Sequence, residues 1–363
     1  DGYNWNDAYN GYNDLNSQDW QAIAMSADGG TMVAVATTGY NAGGFYLSTD
    51  SGANWNKAVF GGSASLNLVD VAVAGSGSRL SAVANGGQVW ISADAGTTWA
   101  TEPPAGITPA PTVPMAPAPT PAPSASPRAW SAIASSADGA RLAATVSAGS
   151  IYTSADSGAS WTEDATAGAR NWVSIAMSAD GQRLAAVEGS VDLSYCDVSG
   201  SLWTSSDFGA SWTEQAGLGS ECWRGVAMSG DGATVAAVVG EGSIWVSTDY
   251  GSSWSETSDP AGGDDDYSTT YYWRAVAVSS DGTKLAAAHQ YGLWTSDDSG
   301  ATWSTDTSYS WSDLRDIAMS DDGYTLAVVE YSGNLRTSSD GYNWNDAYNG
   351  YNDLNSQDWQ AIA

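Results

Sequence analysis

Short runs in which apolar and polar residues alternate recur along the whole chain, and they come in a fixed order. Each round opens with one phrase: Trp20-Gln-Ala-Ile-Ala, Leu68-Val-Asp-Val-Ala, Trp130-Ser-Ala-Ile-Ala, Trp172-Val-Ser-Ile-Ala, Trp223-Arg-Gly-Val-Ala, Trp273-Arg-Ala-Val-Ala and Leu314-Arg-Asp-Ile-Ala. Most copies run into a Ser-x-Asp-Gly turn, at Asp28-Gly29, Asp138-Gly139, Asp180-Gly181, Asp231-Gly232, Asp281-Gly282 and Asp322-Gly323; the second copy has Gly75-Ser-Gly77 instead. A small-apolar run such as Arg183-Leu-Ala-Ala-Val187 comes next, then a looser loop. After the loop stands an alternating run such as Gly242-Ser-Ile244-Trp245-Val246, whose period of two predicts a β-strand. Each round therefore predicts four strands in an antiparallel meander, and the rounds make an internal repeat of one large domain.

The third and fourth strands of each round are joined by Ser-x-Asp-x-Gly-x-x-Trp, found from Ser48 to Trp55, Ser92 to Trp99, Ser154 to Trp161, Ser205 to Trp212, Ser247 to Trp254 and Ser296 to Trp303. A seventh copy, Ser338-Ser-Asp340-Gly341-Tyr-Asn-Trp344, is one residue shorter between Asp and Trp. In such a hairpin the carboxylate ties nearby backbone N–H groups, glycine takes a positive φ and the indole packs back beneath the turn. Asp50, Asp94, Asp156, Asp207, Asp249, Asp298 and Asp340 are thus read as structural. These turns resemble the Asp-box (BNR) repeat family, whose members fold as β-propellers. The resemblance implies an all-β, seven-bladed β-propeller of four-stranded antiparallel blades, the last blade closed by a terminal strand. It implies no one activity, because sialidases, other glycoside hydrolases, sorting receptors and photosystem assembly factors all carry Asp boxes.

In a propeller the Asp-Gly turns and Asp boxes share one tightly built face, and the variable connections share the other. The irregular stretches, residues 38–44, 101–129, 191–200, 259–272 and 345–358, all fall on that second, variable face. Residues 101–129 hold ten of the 11 prolines, Pro103 to Pro127, among Ala, Thr and Ser. Such a linker favours extended polyproline II. It resembles hydroxyproline-rich and mucin-like segments, which implies O-linked sugar on Thr108, Thr112, Thr120, Ser124, Ser126 or hydroxylated proline. A bare flexible linker is the alternative. No Asn-x-Ser/Thr acceptor is present.

Residues 340–363 repeat residues 1–24 letter for letter, a period of 339 residues (340 − 1). The repeated text contains the fourth strand of the last blade, a connector and the first strand of the first blade. It divides the chain into a terminal strand and connector (1–19), the propeller (20–344, with 101–129 inserted), and a connector with the first strand of a next unit (345–363). The assembly strands are Gly2, Tyr3, Asn4 and Trp5, and their copies Gly341, Tyr342, Asn343 and Trp344. One ring has room for one of them, so copies of the chain itself, joined head-to-tail, are the expected partner. Two arrangements fit: the unit recurs in one long chain, or separate chains donate a strand to the next.

Composition narrows the partners. Lys and Arg total 11 against 41 Asp and Glu, a net charge of −30. That excludes the basic footprint of nucleic-acid binding, and no apolar run approaches a membrane span. The abundance of Trp, Tyr, Gly, Ser, Thr and Ala with little Lys points to an extracellular or surface protein beginning at Asp1 as a mature form or fragment. Cys196 and Cys222 map to the variable face of adjacent blades and are expected to form a disulfide.

Candidate chemistry is sparse. Arg224, Arg274 and Arg315 each come directly after the first residue of an innermost strand, which places them near the channel mouth as an anion site. Sialidases of this repeat family hold a carboxylate with arginines there. The Phe/Tyr-Arg-Ile-Pro motif is absent, however, and salt bridges explain these arginines equally well. His289, the single histidine, rules out a multi-histidine metal site. Asp264, Asp265 and Asp266 lack an EF-hand pattern and read as a solvated acidic loop. No cofactor and no enzymatic activity are expected. The sequence reads as a structural subunit of an extracellular fibre or surface appendage. The alternatives are a surface glycan- or protein-binding propeller and, third, an Asp-box glycoside hydrolase.

Overall fold

A computed structural model describes residues 18–37, 44–58, 67–101, 128–164, 166–190, 196, 198–257, 272–305, 311, 313–340 and 344–346 (backbone only at 18, 332, 333, 345 and 346). Among these residues there are 28 strands, one 3-10 turn at Ala216–Leu218 and no α-helix. The strands pair four at a time into consecutive antiparallel meanders, seven in all. The first contains Gln18–Met25, Met32–Thr37, Gly44–Ser48 and Asn56–Ala58, paired through Met25↔Met32, Met32↔Ser48 and Leu47↔Asn56. The other six begin at Leu68–Val73, Arg128–Ser135, Arg170–Met177, Trp223–Met228, Trp273–Val278 and Leu314–Met319.

The last meander is completed by Trp344–Asp346, which pairs with Leu335–Ser338 through Ser338↔Trp344 and Arg336↔Asp346. Trp344 is buried and meets Trp311 edge-on, with ring centroids 5.1 Å apart. The duplicated text is thus used in halves. The start of its C-terminal copy finishes the last meander, and the end of its N-terminal copy opens the first. Gly2, Tyr3, Asn4, Trp5, Gly341, Tyr342 and Asn343 lie outside the described residues, as do Thr108, Thr112, Thr120, Ser124 and Ser126.

Second strands explain why the meanders stack. Val235–Val239 is buried along its whole length, and Leu285–His289 for its first four residues. A strand buried on both faces needs no polar alternation, and Ala and Val are small enough to let neighbouring sheets approach. The apolar core is accordingly a series of clusters, each lying between two consecutive meanders. One joins Val33, Val35 and Phe45 of the first to Leu68, Val71 and Leu80 of the second. The same kind of cluster joins the first meander to the last, with Trp20, Met32 and Ala34 against Ala318, Ala327 and Val329.

The tight turns add a polar seam. The N–H of Ala27 donates to the Gly75 carbonyl at 3.0 Å, Gly75 to Ala137 at 2.8 Å, Ala137 to Ala179 at 2.9 Å and Ala179 to Gly230 at 2.8 Å. Gly230 donates to Ser280, Ser280 to Asp321, and Asp321 back to Ala27, each at 2.8 Å. The relay returns to its starting residue. On the opposite face Gln18 and Asp19 pair with Gly333 and Tyr331, as Arg128 and Ala129 pair with Gly87 and Asn85.

Asp-Gly turns and Asp boxes do share a face: the Ser51 N–H donates to the Gly30 carbonyl at 3.0 Å, and Tyr250 N–H to Ala233 at 3.0 Å. Glycines 29, 77, 139, 181, 232, 282 and 323 have φ between +66° and +75°, so Gly77 reproduces the turn that its unit lacks in sequence. Gly181 also lies so close to Arg141 that a Cβ there would stand 2.6 Å from Arg141 Cδ.

Each full box is a compact polar knot. In the fifth, Asp249 Oδ1 accepts from the Ser247 hydroxyl at 2.9 Å and the Ser253 N–H at 2.8 Å, while Oδ2 accepts from the Ser253 hydroxyl at 2.6 Å. The Trp254 indole donates to the Gly251 carbonyl at 3.2 Å. Two successive residues are left-handed, because the residue after Asp joins the glycine: Tyr250 has φ +64° and Gly251 +81°. The box indoles are not equally buried, Trp55 being 3% exposed and Trp254 only half-buried. Trp55→Ala should therefore cost roughly 3–5 kcal/mol and Trp254→Ala about half that in urea denaturation. Equal losses would contradict this difference in packing.

Candidate functional site

In every first strand the pairing register slips near its start, for instance between Trp20 and Ala22, Trp223 and Gly225, and Leu314 and Asp316. A bulge re-aims the extra side chain. The residues so displaced, Gln21, Val69, Ser131, Val173, Arg224, Arg274 and Arg315, all line one cavity of about 490 Å³ enclosed by the innermost strands. The sequence placed the three arginines at this mouth, and the structure brings them to a single wall on consecutive units.

Arg224 is 7% and Arg274 8% exposed. Arg224 donates to the Ser190 carbonyl at 2.7 Å and lies 3.8 Å from Cys196 Sγ. Cys196 and Cys222 form a disulfide with Cα atoms 5.6 Å apart, which fastens the loop before Gly200 to the start of Trp223–Met228. Asp313 bridges the other two, 2.7 Å from the Arg315 guanidinium and 3.7 Å from that of Arg274. Its φ of +50° is unusual for a non-glycine residue. Burial, then repulsion from Arg315, lowers Arg274 to about 10 despite the opposing pull of Asp313. It remains cationic at neutral pH. Arg315 also stacks on Tyr331, 4.3 Å from the ring centroid.

Two carboxyls that sequence reasoning missed lie in the same cavity, Asp70 and Asp316. Each is the third residue of its strand and crosses to another unit: Asp70 accepts from the Ile133 N–H at 2.7 Å, and Asp316 from the Ile23 N–H at 2.8 Å. Ser174 does the same for Val226 at 3.3 Å. Burial pushes Asp70 up to about 8, with the nearby Asp316 charge adding to it, against the bonds from Ile133 and Val71. Burial likewise pushes Asp316 up to about 7. They open on the channel yet are walled by protein, and the pair shares its proton affinity. A signal was present: the two opening phrases with Leu in place of Trp are the two that carry Asp two residues later.

The box aspartates behave oppositely. Hydrogen bonds from Ser253, side chain and backbone, and then from Ser247 hold Asp249 below the ordinary carboxylate range. His289 packs edge-on against Trp273 at 5.5 Å, and burial lowers it to about 4, so it is neutral. Among the described residues no group of three or more His, Cys, Asp or Glu could hold a metal ion. Asp264, Asp265 and Asp266 lie outside them. No helix of the described residues is long and apolar enough to cross a membrane.

Comparison with known proteins agrees with the Asp-box resemblance. The BNR-Asp box repeat model matches residues 202–215, which hold the third strand and box of the fourth unit. No curated protein matches by sequence. Among solved structures, Ycf48 bound to a D1 peptide is similar at 16% identity and a TM-score of 0.62, with 89% of this chain and 93% of that one covered. Ycf48 from Cyanidioschyzon merolae is similar at 15% identity and a TM-score of 0.62, covering 90% and 96%. A GH74 xyloglucanase from Xanthomonas campestris is similar at 17% identity and a TM-score of 0.63 over 90% of this chain, which spans about half (52%) of that enzyme. At these identities the likeness is one of fold. The chain is an all-β, propeller-like protein built on Asp-box repeats.

The raised channel carboxyls have a measurable consequence. Below about pH 4 they are protonated in both folded and unfolded chains and exert no effect. As the pH rises, the unfolded chain ionises first, so the pair lowers stability progressively until about pH 8, above which the loss is constant. His289 acts in the opposite sense between about 4 and 6.5. The difference profile isolates the carboxyl: Asp70→Asn should gain stability over the parent as pH rises from 4 to 8, by at least about 1.4 kcal/mol. A difference that does not change with pH would contradict the assignment.

Proposed function

We propose that the chain is a structural unit of an extracellular fibre or surface appendage: a closed, seven-bladed ring, not an enzyme, joined end to end to its neighbours through the duplicated terminal text. The observation that carries this reading is the split use of that text. The last blade already holds Trp344–Asp346, so the identical stretch around Trp5 has no place in the same ring. Closure is supported by the hydrogen-bond relay that returns from Asp321 to Ala27 and by the cluster between first and last blades. The disulfide suits an oxidising compartment. O-linked sugars on residues 101–129 would coat the fibre.

A second reading, a glycan- or protein-binding propeller, is favoured by one observation: three cationic side chains line a cavity in a protein of net charge −30. The third, a glycoside hydrolase, draws on the GH74 likeness. Against it stand Asp70 and Asp316, which are raised together rather than split into one acid and one base. Electron microscopy of native material should show linear strings with one disc per repeat. Single discs in solution, with saccharide or peptide captured at the cavity, would favour the second reading over the first.

A further inference from the structure

We infer that the duplicated text spells the junction between consecutive rings of one polypeptide, and that successive rings present the same, variable face to a common axis. This rests on the fibre reading and decides between the two covalent arrangements that the sequence leaves open.

Donation of a strand between separate chains requires an empty position, and both candidate positions are filled. The fourth strand of the last blade is Trp344–Asp346, with Trp344 buried against Trp311. A donated copy of residues 2–6 would have to displace it and would gain only what it removed. The first strand of the first blade is Gln18–Met25, continuous through a tight turn with Met32–Thr37. In that turn the Ser26 N–H donates to the Thr31 carbonyl at 2.8 Å. Trp20 is fully buried, and the Ile23 N–H is held by Asp316 at 2.8 Å. A donated copy of residues 357–363 would have to replace this strand while leaving its own chain joined to it.

Continuation in one chain uses every copy once. The start of each copy closes the ring before it, and the end of the same copy opens the ring after it. Trp359 and Ile362 then meet, in the next ring, the surroundings that Trp20 and Ile23 have here, because the next unit of a tandem chain repeats the same sequence.

The direction of the strands fixes the faces. Gln18–Met25 runs from the variable face to the Asp-Gly turn, and Trp344–Asp346 runs from the Asp box back toward the variable face. The chain thus enters each ring at its channel mouth and leaves it at its rim on the same face. Ten residues, 347–356, separate Asp346 from Gln357, the copy of Gln18. Fully extended they span at most about 40 Å. A coaxial stack would require a climb along an eight-residue strand, about 26 Å, and then a run inward to the next mouth. That path exceeds the connector for a ring roughly 50 Å across. Rings whose variable faces turn toward a common axis are within its reach.

The test is the chain length of native material dissolved in denaturant and reducing agent, read beside electron microscopy of the same sample before denaturation. The expected result is strings of discs whose dissolved chains are much longer than one 339-residue period (340 − 1), with residues 1–363 made alone remaining monomeric. Strings whose dissolved chains are one unit long, together with association of residues 1–363 that is lost in residues 18–346, would overturn this inference and leave the fibre reading intact. Single discs of one-unit chains would overturn both. Strings in which alternate discs show opposite faces, or a coaxial stack, would overturn the orientation alone.

Discussion

The structure depends on second strands that are buried on both faces. A strand such as Val235–Val239 has no side that tolerates water, so the sheet containing it must be covered by a neighbour on each side. Each neighbour has the same requirement. A row of such sheets has two unsatisfied ends unless it curves round on itself, and the first and last meanders meet through Ala34, Ala327 and Val329 much as consecutive ones do. Small side chains make that curvature sterically possible, and the turn glycines, held at positive φ, let the inner edges crowd.

Electrostatics divides the molecule between its two faces. Carboxylates on the tight face are engaged by backbone and hydroxyl donors, which keeps them ionised and makes the Asp box a device of folding rather than of chemistry. In the channel the charges are arranged differently. Bulged first strands aim Arg224, Arg274 and Arg315 at one wall, while Asp70 and Asp316 stitch one blade to the next. The polar groups of the channel therefore serve cohesion first. Any ligand there would compete with Asp313 for two of the arginines.

Much of the fold was legible because its signals are local. The spacing from Ser247 to Trp254 specifies a turn by itself, and the assignment of that turn to one face needs only the order of strands. What was not legible depends on shape formed at a distance. The left-handed Tyr250 arises from the closing geometry of the box, which no residue preference at that site announces. Half-burial of Trp254 depends on how the neighbouring blade covers it, and the pattern of the box is the same as where the indole is buried. The convergence of the arginines was visible from their common place after the first strand residue. The meaning of Asp70 and Asp316 was not, since an aspartate in an alternating strand looks like any solvent-facing residue until the bulge turns it toward the next blade.

Ring closure is the claim on which the fibre account stands, and native-state hydrogen exchange tests it most directly. The seven relay amides, Ala27, Gly75, Ala137, Ala179, Gly230, Ser280 and Asp321, are chemically alike in setting. If the last blade is locked to the first as the others are to one another, the Asp321 amide, which donates across the closure, should be protected to the same degree as the other six. Exchange at Asp321 and Ile23 that is orders of magnitude faster than at Ala137 and Ala179 would show an open seam and contradict the closed ring.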